Sequence, residues 1–177
     1  HTVQTSIPMD VKKMIYEQNV QSKPFSTPSN TLNFTVPSST KAISVWVQSD
    51  DAGTNPLIPP SMFKCFANGG IDKPHLSLES IQLTFANTTK PSVRWSSAYT
   101  GDTNQLQQRY RDTYADAGML SSSGGVERFE DYLTRGPVYH FDFSRTADDN
   151  STELQVSAAF AGALGAGVSL YVCSWYT

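Results

Sequence analysis

The stretch Glu153-Leu154-Gln155-Val156-Ser157-Ala158-Ala159-Phe160 places Leu154, Val156, Ala158 and Phe160 on one side of an extended chain. Gln155, Ser157 and Ala159 fall on the other. Side chains of a β-strand alternate between two faces, so this pattern predicts a strand with one buried face and one solvated or covered face. The same period recurs in Val168 to Tyr176, where Val168, Leu170 and Val172 are in phase and Tyr171, Cys173 and Trp175 lie opposite. It recurs in Thr31 to Val36 through Leu32, Phe34 and Val36, and in Ala42 to Gln48 through Ile43, Val45 and Val47, with Trp46 opposite. Ser80 to Phe85 carries Ile81, Leu83 and Phe85, and Val138 to Ser144 carries Tyr139, Phe141 and Phe143. Ser92 to Ser97, with Val93 and Trp95, and Val11 to Val20, with Met14, Tyr16 and Val20 on one face, complete a set of eight.

Half-buried alternating strands belong to antiparallel sheets, and two such sheets must pack face to face to bury their apolar sides. The expected fold is therefore all-β, an eight-stranded antiparallel jelly-roll sandwich with a helix-containing long loop. The immunoglobulin-like sandwich is the rival. It normally has shorter, more even loops and a Cys–Trp–Cys spacing, whereas Cys65 falls in a loop. A length of 177 residues fits a single domain spanning 1–177. The chain opens on His1 and stops at Thr177 inside an apolar alternation, so it is expected to be a fragment or mature product of a longer protein.

Two long connections break the strand pattern. Residues 49–77 carry Pro56, Pro59, Pro60, Pro74 and Gly69-Gly70. The other, an insert over about 98–137, contains a predicted helix capped by Asp102 or Thr103. Its inner face is Leu106, Tyr110, Thr113 and Ala117, and Gly118 ends it. The run Ser121-Ser122-Ser123-Gly124-Gly125 reads as a flexible connector to a second short helix at Val126 to Leu133. Loops of this length in a compact domain usually carry function or an interface.

Hydrophobic residues make up 38% of the chain and charged residues 16%, below the usual ~25% charged. Ser, Thr, Asn and Gln fill the difference. Neutral polar surfaces of this kind are common where proteins pack against other proteins or lie outside the cell. The net charge is −3, and the 13 basic residues are scattered, so direct nucleic-acid binding is not expected. No apolar run reaches the ~20 residues that span a bilayer, so no membrane insertion is expected. Cys65 and Cys173 could pair, but two free thiols is the favoured reading.

No residue set supports catalysis, a cofactor or a metal. His140 shares a strand face with Asp142, but no nucleophile accompanies them in the sequence. His1, His75 and His140 are too dispersed for the close histidine pair that jelly-roll metalloenzymes use. Glu127, Glu130 and Asp131 read as a solvated helix face rather than two carboxyls across a cleft. Asp148-Asp149-Asn150 reads as turn chemistry rather than a calcium site. Gly162, Gly165 and Gly167 lead into a strand, not a helix, which rules out a dinucleotide loop. Sequons begin at Asn33, Asn87 and Asn150, and chance accounts for them in so Asn- and Thr-rich a chain. Trp46, Trp95, Tyr171 and Trp175 fall out of phase with the core positions. They mark either packing under a loop or an interface, where Trp and Tyr are enriched.

Three segments resemble the C-terminal jelly roll of double-jelly-roll major capsid proteins, which build the capsids of tailless double-stranded DNA viruses (adenovirus-like, virophage, polinton-like and nucleocytoplasmic large viruses). They are Leu78-Glu79-Ser80-Ile81-Gln82-Leu83-Thr84-Phe85-Ala86-Asn87 ending at Lys90-Pro91, Leu106-Gln107-Gln108-Arg109-Tyr110-Arg111-Asp112-Thr113-Tyr114, and Gly136-Pro137-Val138-Tyr139-His140-Phe141-Asp142-Phe143-Ser144-Arg145 followed by Leu154-Gln155-Val156. The likeness covers roughly residues 78–160. It implies a capsid structural protein of the virion, assembling with itself as a trimer and with other capsid proteins, with no enzymatic activity. The implied contact residues are Arg109, Tyr110 and Tyr114 of the insert, and the out-of-phase Trp46, Trp95 and Trp175 are separate interface candidates. The alternative expectation is a carbohydrate- or receptor-binding β-sandwich, with the tryptophans stacking on the sugars of a host-surface glycan.

Overall fold

A computed structural model of the chain describes residues 17–25, 29–49, 78–96, 103–118, 128–129, 132, 138–145, 150–160 and 168–177. Eight strands form two antiparallel sheets of four: β1 (Glu17–Pro24), β2 (Ser29–Thr35), β3 (Thr40–Ser49), β4 (Leu78–Phe85), β5 (Thr88–Ser96), β6 (Tyr139–Asp142), β7 (Glu153–Phe160) and β8 (Val168–Tyr176). The first sheet runs β1-β8-β3-β6 and the second β2-β7-β4-β5. Along the chain, β1 pairs with β8, β2 with β7, β3 with β6 and β4 with β5. A long antiparallel ribbon folded into two sheets in this order is a jelly roll.

The inward residues are those the alternation picks out. Ile43, Val45 and Val47 of β3, Ile81, Leu83 and Phe85 of β4, Phe141 of β6, Leu154, Val156 and Phe160 of β7 and Leu170 and Val172 of β8 join one buried cluster. Aromatic edges interlock within it. Phe85 meets Phe143 with ring centroids 5.5 Å apart, and Phe25 meets Phe160 at 5.2 Å. Among the described side chains, the outward side of the second sheet is mainly polar. There Thr31 faces Ser157 with hydroxyl oxygens 3.0 Å apart, and Thr84 faces Thr89 at 3.1 Å, cross-strand polar pairs of the usual kind.

Two strands differ from the expectation. The described part of β1 begins at Glu17, and Val20 points outward with 56% of its surface exposed. As an edge strand, β1 offers its inward positions to β2 rather than to the core. The Gln21 amide donates to the Thr35 carbonyl, and the Lys23 ammonium donates to the Asn33 carbonyl while lying over the Phe34 ring. Those side chains bridge the open side of the sandwich between two strand edges. Met14 and Tyr16 lie outside the described residues. β5 begins at Thr88 and runs through Pro91, although proline usually breaks a strand. An edge strand has one row of N–H groups without ladder partners, and β5 is an edge strand. Its tight link to β4 is a two-residue turn with φ of 49° at Ala86 and 58° at Asn87, the positive pair of a type I′ hairpin.

The connections divide unevenly between the two ends. Residues 36–39, Ala86-Asn87 and 143–152 join strands at one end. The connections over 25–28, 50–77, 97–138 and 161–167 all leave from the other, where Pro24 meets Ser169, Ser49 meets Val168 and Leu78 meets Phe160. Helix α1 (Thr103–Asp116) belongs to the longest of these connections and packs on β6 and β5, the edges of the two sheets on the side opposite β1 and β2. It ends at the expected glycine. Gly118 has φ of 68°, and its N–H donates to Ala115 O at 3.0 Å. Of the second expected helix, over Val126 to Leu133, the described part has helical geometry. The Tyr132 N–H donates to Arg128 O at 2.9 Å, and the remainder lies outside the described residues.

Truncating the centre of the inward face tests this packing. Phe141→Ala is expected to lower the unfolding free energy by about 3–5 kcal/mol. Thr31→Ala on the outward polar side should change it by no more than about 0.5 kcal/mol in the same urea titration.

Candidate functional site

The outward face of the β1-β8-β3-β6 sheet has a composition unlike that of its counterpart. Because strand registers align, its side chains form rows: Ser22, Tyr171 and Trp46 in one, Val20, Cys173, Ser44 and His140 in the next, then Gln18, Trp175, Ala42 and Asp142. Across β1, β8 and Ala42 to Trp46 of β3, none of these outward residues is charged. Trp46 and Tyr171 are direct cross-strand partners, the pairing through which sheets gain stability side by side. Their rings stack with centroids 5.4 Å apart and planes 12° from parallel. Small residues fill the troughs between the aromatics, so Ser44 and Cys173 are buried although they point away from the core. The Cys173 thiol forms no disulfide, and burial pushes its pKa up. Cys65 lies outside the described residues.

Charge enters only at β6. The Trp175 indole N–H donates to Ser44 Oγ at 3.3 Å, and Ser44 Oγ lies 2.9 Å from His140 Nδ1. An indole N–H can only donate, so the Ser44 oxygen is its acceptor and the single hydroxyl proton is available to His140 Nδ1. The Asp142 backbone N–H donates to Asp116 Oδ2 at 3.1 Å, which ties the last turn of α1 to β6. Burial holds the His140 pKa below the usual histidine value, with the Asp116 and Asp142 carboxylates pulling the other way. Burial raises the Asp142 pKa, but hydrogen bonds from Ser144, the Lys90 ammonium and His140 outweigh it and leave it lowered.

The structure thus brings to His140 a serine hydroxyl that the sequence did not disclose, from a strand 96 residues away. Carboxylate, imidazole and hydroxyl are the components of a nucleophilic triad. Here Ser44 is only 7% exposed and its oxygen already accepts the Trp175 N–H, so the group is arranged as a tether between three strands and the helix. Among the described residues, no group of three or more His, Cys, Asp or Glu side chains is placed to hold a metal ion.

The insert residues sit elsewhere. Arg109 is 1% exposed, and its guanidinium donates to the Glu79 carbonyl at 2.8 Å, anchoring α1 to β4 from within. Tyr110 and Tyr114 are half-buried against the core with ring centroids 4.7 Å apart. Tyr132 closes on both, at 5.2 and 6.3 Å, and Phe129 closes on Tyr110 at 5.6 Å. Burial raises the Tyr132 pKa well above the usual tyrosine value. All three expected contact residues of the helix therefore turn inward, and its exposed side carries Gln107, Gln108, Arg111 and Ala115. Trp95 lies in β5 of the other sheet, paired with Ile81, so Trp46 and Trp175 share a face that Trp95 does not. No protein-family profile matches the chain, and no curated protein sequence matches it.

Two outcomes follow from this geometry. Arg109→Ala strands the Glu79 carbonyl and opens a void, and it is expected to cost about 2–4 kcal/mol in a chemical denaturation experiment. Burial lowers the His140 pKa on folding, so as pH falls through the ordinary histidine value of ~6.5 the unfolded chain binds more protons than the folded one. Stability is therefore expected to fall as pH drops below ~6.5, by at most ~1.4 kcal/mol per pH unit until the folded-state pKa is passed. His140→Asn should remove that slope from melting curves recorded between about pH 5 and 7.

Proposed function

We propose that this jelly roll is a structural building block of an icosahedral viral capsid, of the double-jelly-roll kind that its sequence resembles. It acts in the virion through contacts with copies of itself and with other capsid proteins, and it carries out no catalysis. The observation that carries this reading is the division of the molecule's two ends. The connections 36–39, 86–87 and 143–152 join strands at one end, while the two longest, 50–77 and 97–138 with helix α1 within it, leave from the other. Long connections on a sandwich scaffold are where contacts with neighbouring subunits are commonly made, and helix α1 presents its exposed Gln107, Gln108, Arg111 and Ala115 beside β5 and β6. The uncharged outward sheet face, rich in Trp and Tyr, agrees with a molecule that packs against other proteins. The scattered basic residues and a net charge of −3 weigh against direct contact with nucleic acid.

A second reading, a carbohydrate- or receptor-binding module, draws on Trp46, Tyr171 and Trp175 sharing one face. Sugar rings stack on open aromatic faces. Trp46 and Tyr171 stack on each other, which occupies one side of each ring.

The two readings part on the solvent side of α1. Under the capsid reading, the purified chain should form closed rings, trimers foremost, in negative-stain electron microscopy. Gln108→Glu combined with Arg111→Glu should abolish them without moving the melting temperature, because both residues are exposed. Trimers or larger rings that survive this double change would exclude the helix as the contact. A dispersed monomer that binds a glycan array, and loses that binding on Trp175→Ala, would replace the capsid reading with the second one.

A further inference from the structure

The outward face of the β1-β8-β3-β6 sheet is distinct from the loop-bearing end and is not explained by the contacts proposed for α1. We propose that two copies of this chain pair through this face about a two-fold axis, with Val20, Tyr171, Trp46 and Trp175 at the contact. The inference rests on the assembly reading and names a second surface for it.

Three observations support a second copy as the occupant. The first is charge. The outward positions of β1, β8 and Ala42 to Trp46 lack any charged side chain, so the face is complementary to itself even though the chain carries a net charge of −3. A partner bearing a charged patch would lose hydration there and gain no ion pair, whereas an identical neutral face loses nothing of that kind. The second is exposure. Val20 is the exposed large hydrophobic residue among the described residues, and it stands on this face beside Cys173. Among the described side chains, the outward side of the other sheet shows Thr31, Asn33, Gln155 and Thr84 at the equivalent level, all of them polar.

The third is area. Strands spaced ~4.8 Å apart, rising ~3.3 Å per residue, give a face of roughly 500 Å² on each copy, or about 1,000 Å² in total. That is the lower bound for a specific interface, so the pairing is weak and concentration-dependent. In a two-fold contact each residue meets its counterpart's neighbourhood, and a single new charge is met twice. His140 and Asp142, on the short edge strand β6, mark the polar rim of the contact.

Sedimentation equilibrium separates this contact from the one at the helix. The Gln108→Glu, Arg111→Glu chain, deprived of its ring contact, is expected to remain a reversible monomer–dimer. Adding Val20→Glu should weaken that dimer by about tenfold or more, because like charges are then brought together. Adding Thr31→Glu on the opposite sheet should leave it unchanged. A dimer indifferent to Val20→Glu overturns the face while leaving the assembly reading intact, as does a wild type that forms rings beside a double variant that is only monomeric. A wild type monomeric up to millimolar concentration overturns both. A dimer in the double variant, from a wild type that shows no rings, keeps the face and removes the ring.

Discussion

The pairing of the first strand with the last is the constraint on which the rest of this molecule depends. Once β1 lies along β8, the neighbours β2 and β7, β3 and β6, and β4 and β5 follow as successive rungs of one antiparallel ribbon. Folding that ribbon over itself sets Ile43, Val45 and Val172 of one sheet against Leu83, Leu154 and Val156 of the other, within a single buried cluster. It also sends alternate connections to opposite ends. The placement of the long segments at one end is therefore a consequence of the strand order, not a separate feature.

A sandwich of two four-stranded sheets has two open sides, and the chain closes them by different means. On one side Gln21 and Lys23 reach from β1 to carbonyls of β2, satisfying strand-edge acceptors that would otherwise face solvent or another chain. On the other, α1 lies on β5 and β6 and is held at three levels. Arg109 reaches the Glu79 carbonyl, the tyrosine cluster packs on the core, and Asp116 accepts from the Asp142 backbone. The helix is consequently part of the domain's packing, and its solvent side is presented on a firm base. His140 stands where β3, β6, β8 and α1 meet, so a fall in pH acts at that junction.

Much of this was legible in the sequence because an alternating strand states its own inward face. β7 and β8 were readable to the residue, and so were the buried positions of β3, β4 and β6. The first strand was not, because an edge strand can spend its inward side on polar bridging, and Asn19, Gln21 and Lys23 do not look like core. Arg109 was readable as a helix residue of interest but not as a buried one. Arginine is rarely enclosed, and its partner is a backbone carbonyl far back along the chain, at Glu79. The outward phase of Trp46, Tyr171 and Trp175 could be read strand by strand. That these three gather on one sheet while Trp95 belongs to the other depends on strand order, which local periodicity does not contain. Ser44 beside His140 is hidden for the same reason.

Rapid hydroxyl-radical footprinting of the purified chain, from dilute to concentrated solution, tests most directly whether these surfaces meet other copies. Side-chain oxidation reports the solvent access of individual Trp and Tyr residues. Labelling of Trp46, Tyr171 and Trp175 is expected to fall together as concentration rises, while that of buried Tyr132 stays low throughout. Labelling of the three outward aromatics that is independent of concentration would contradict it.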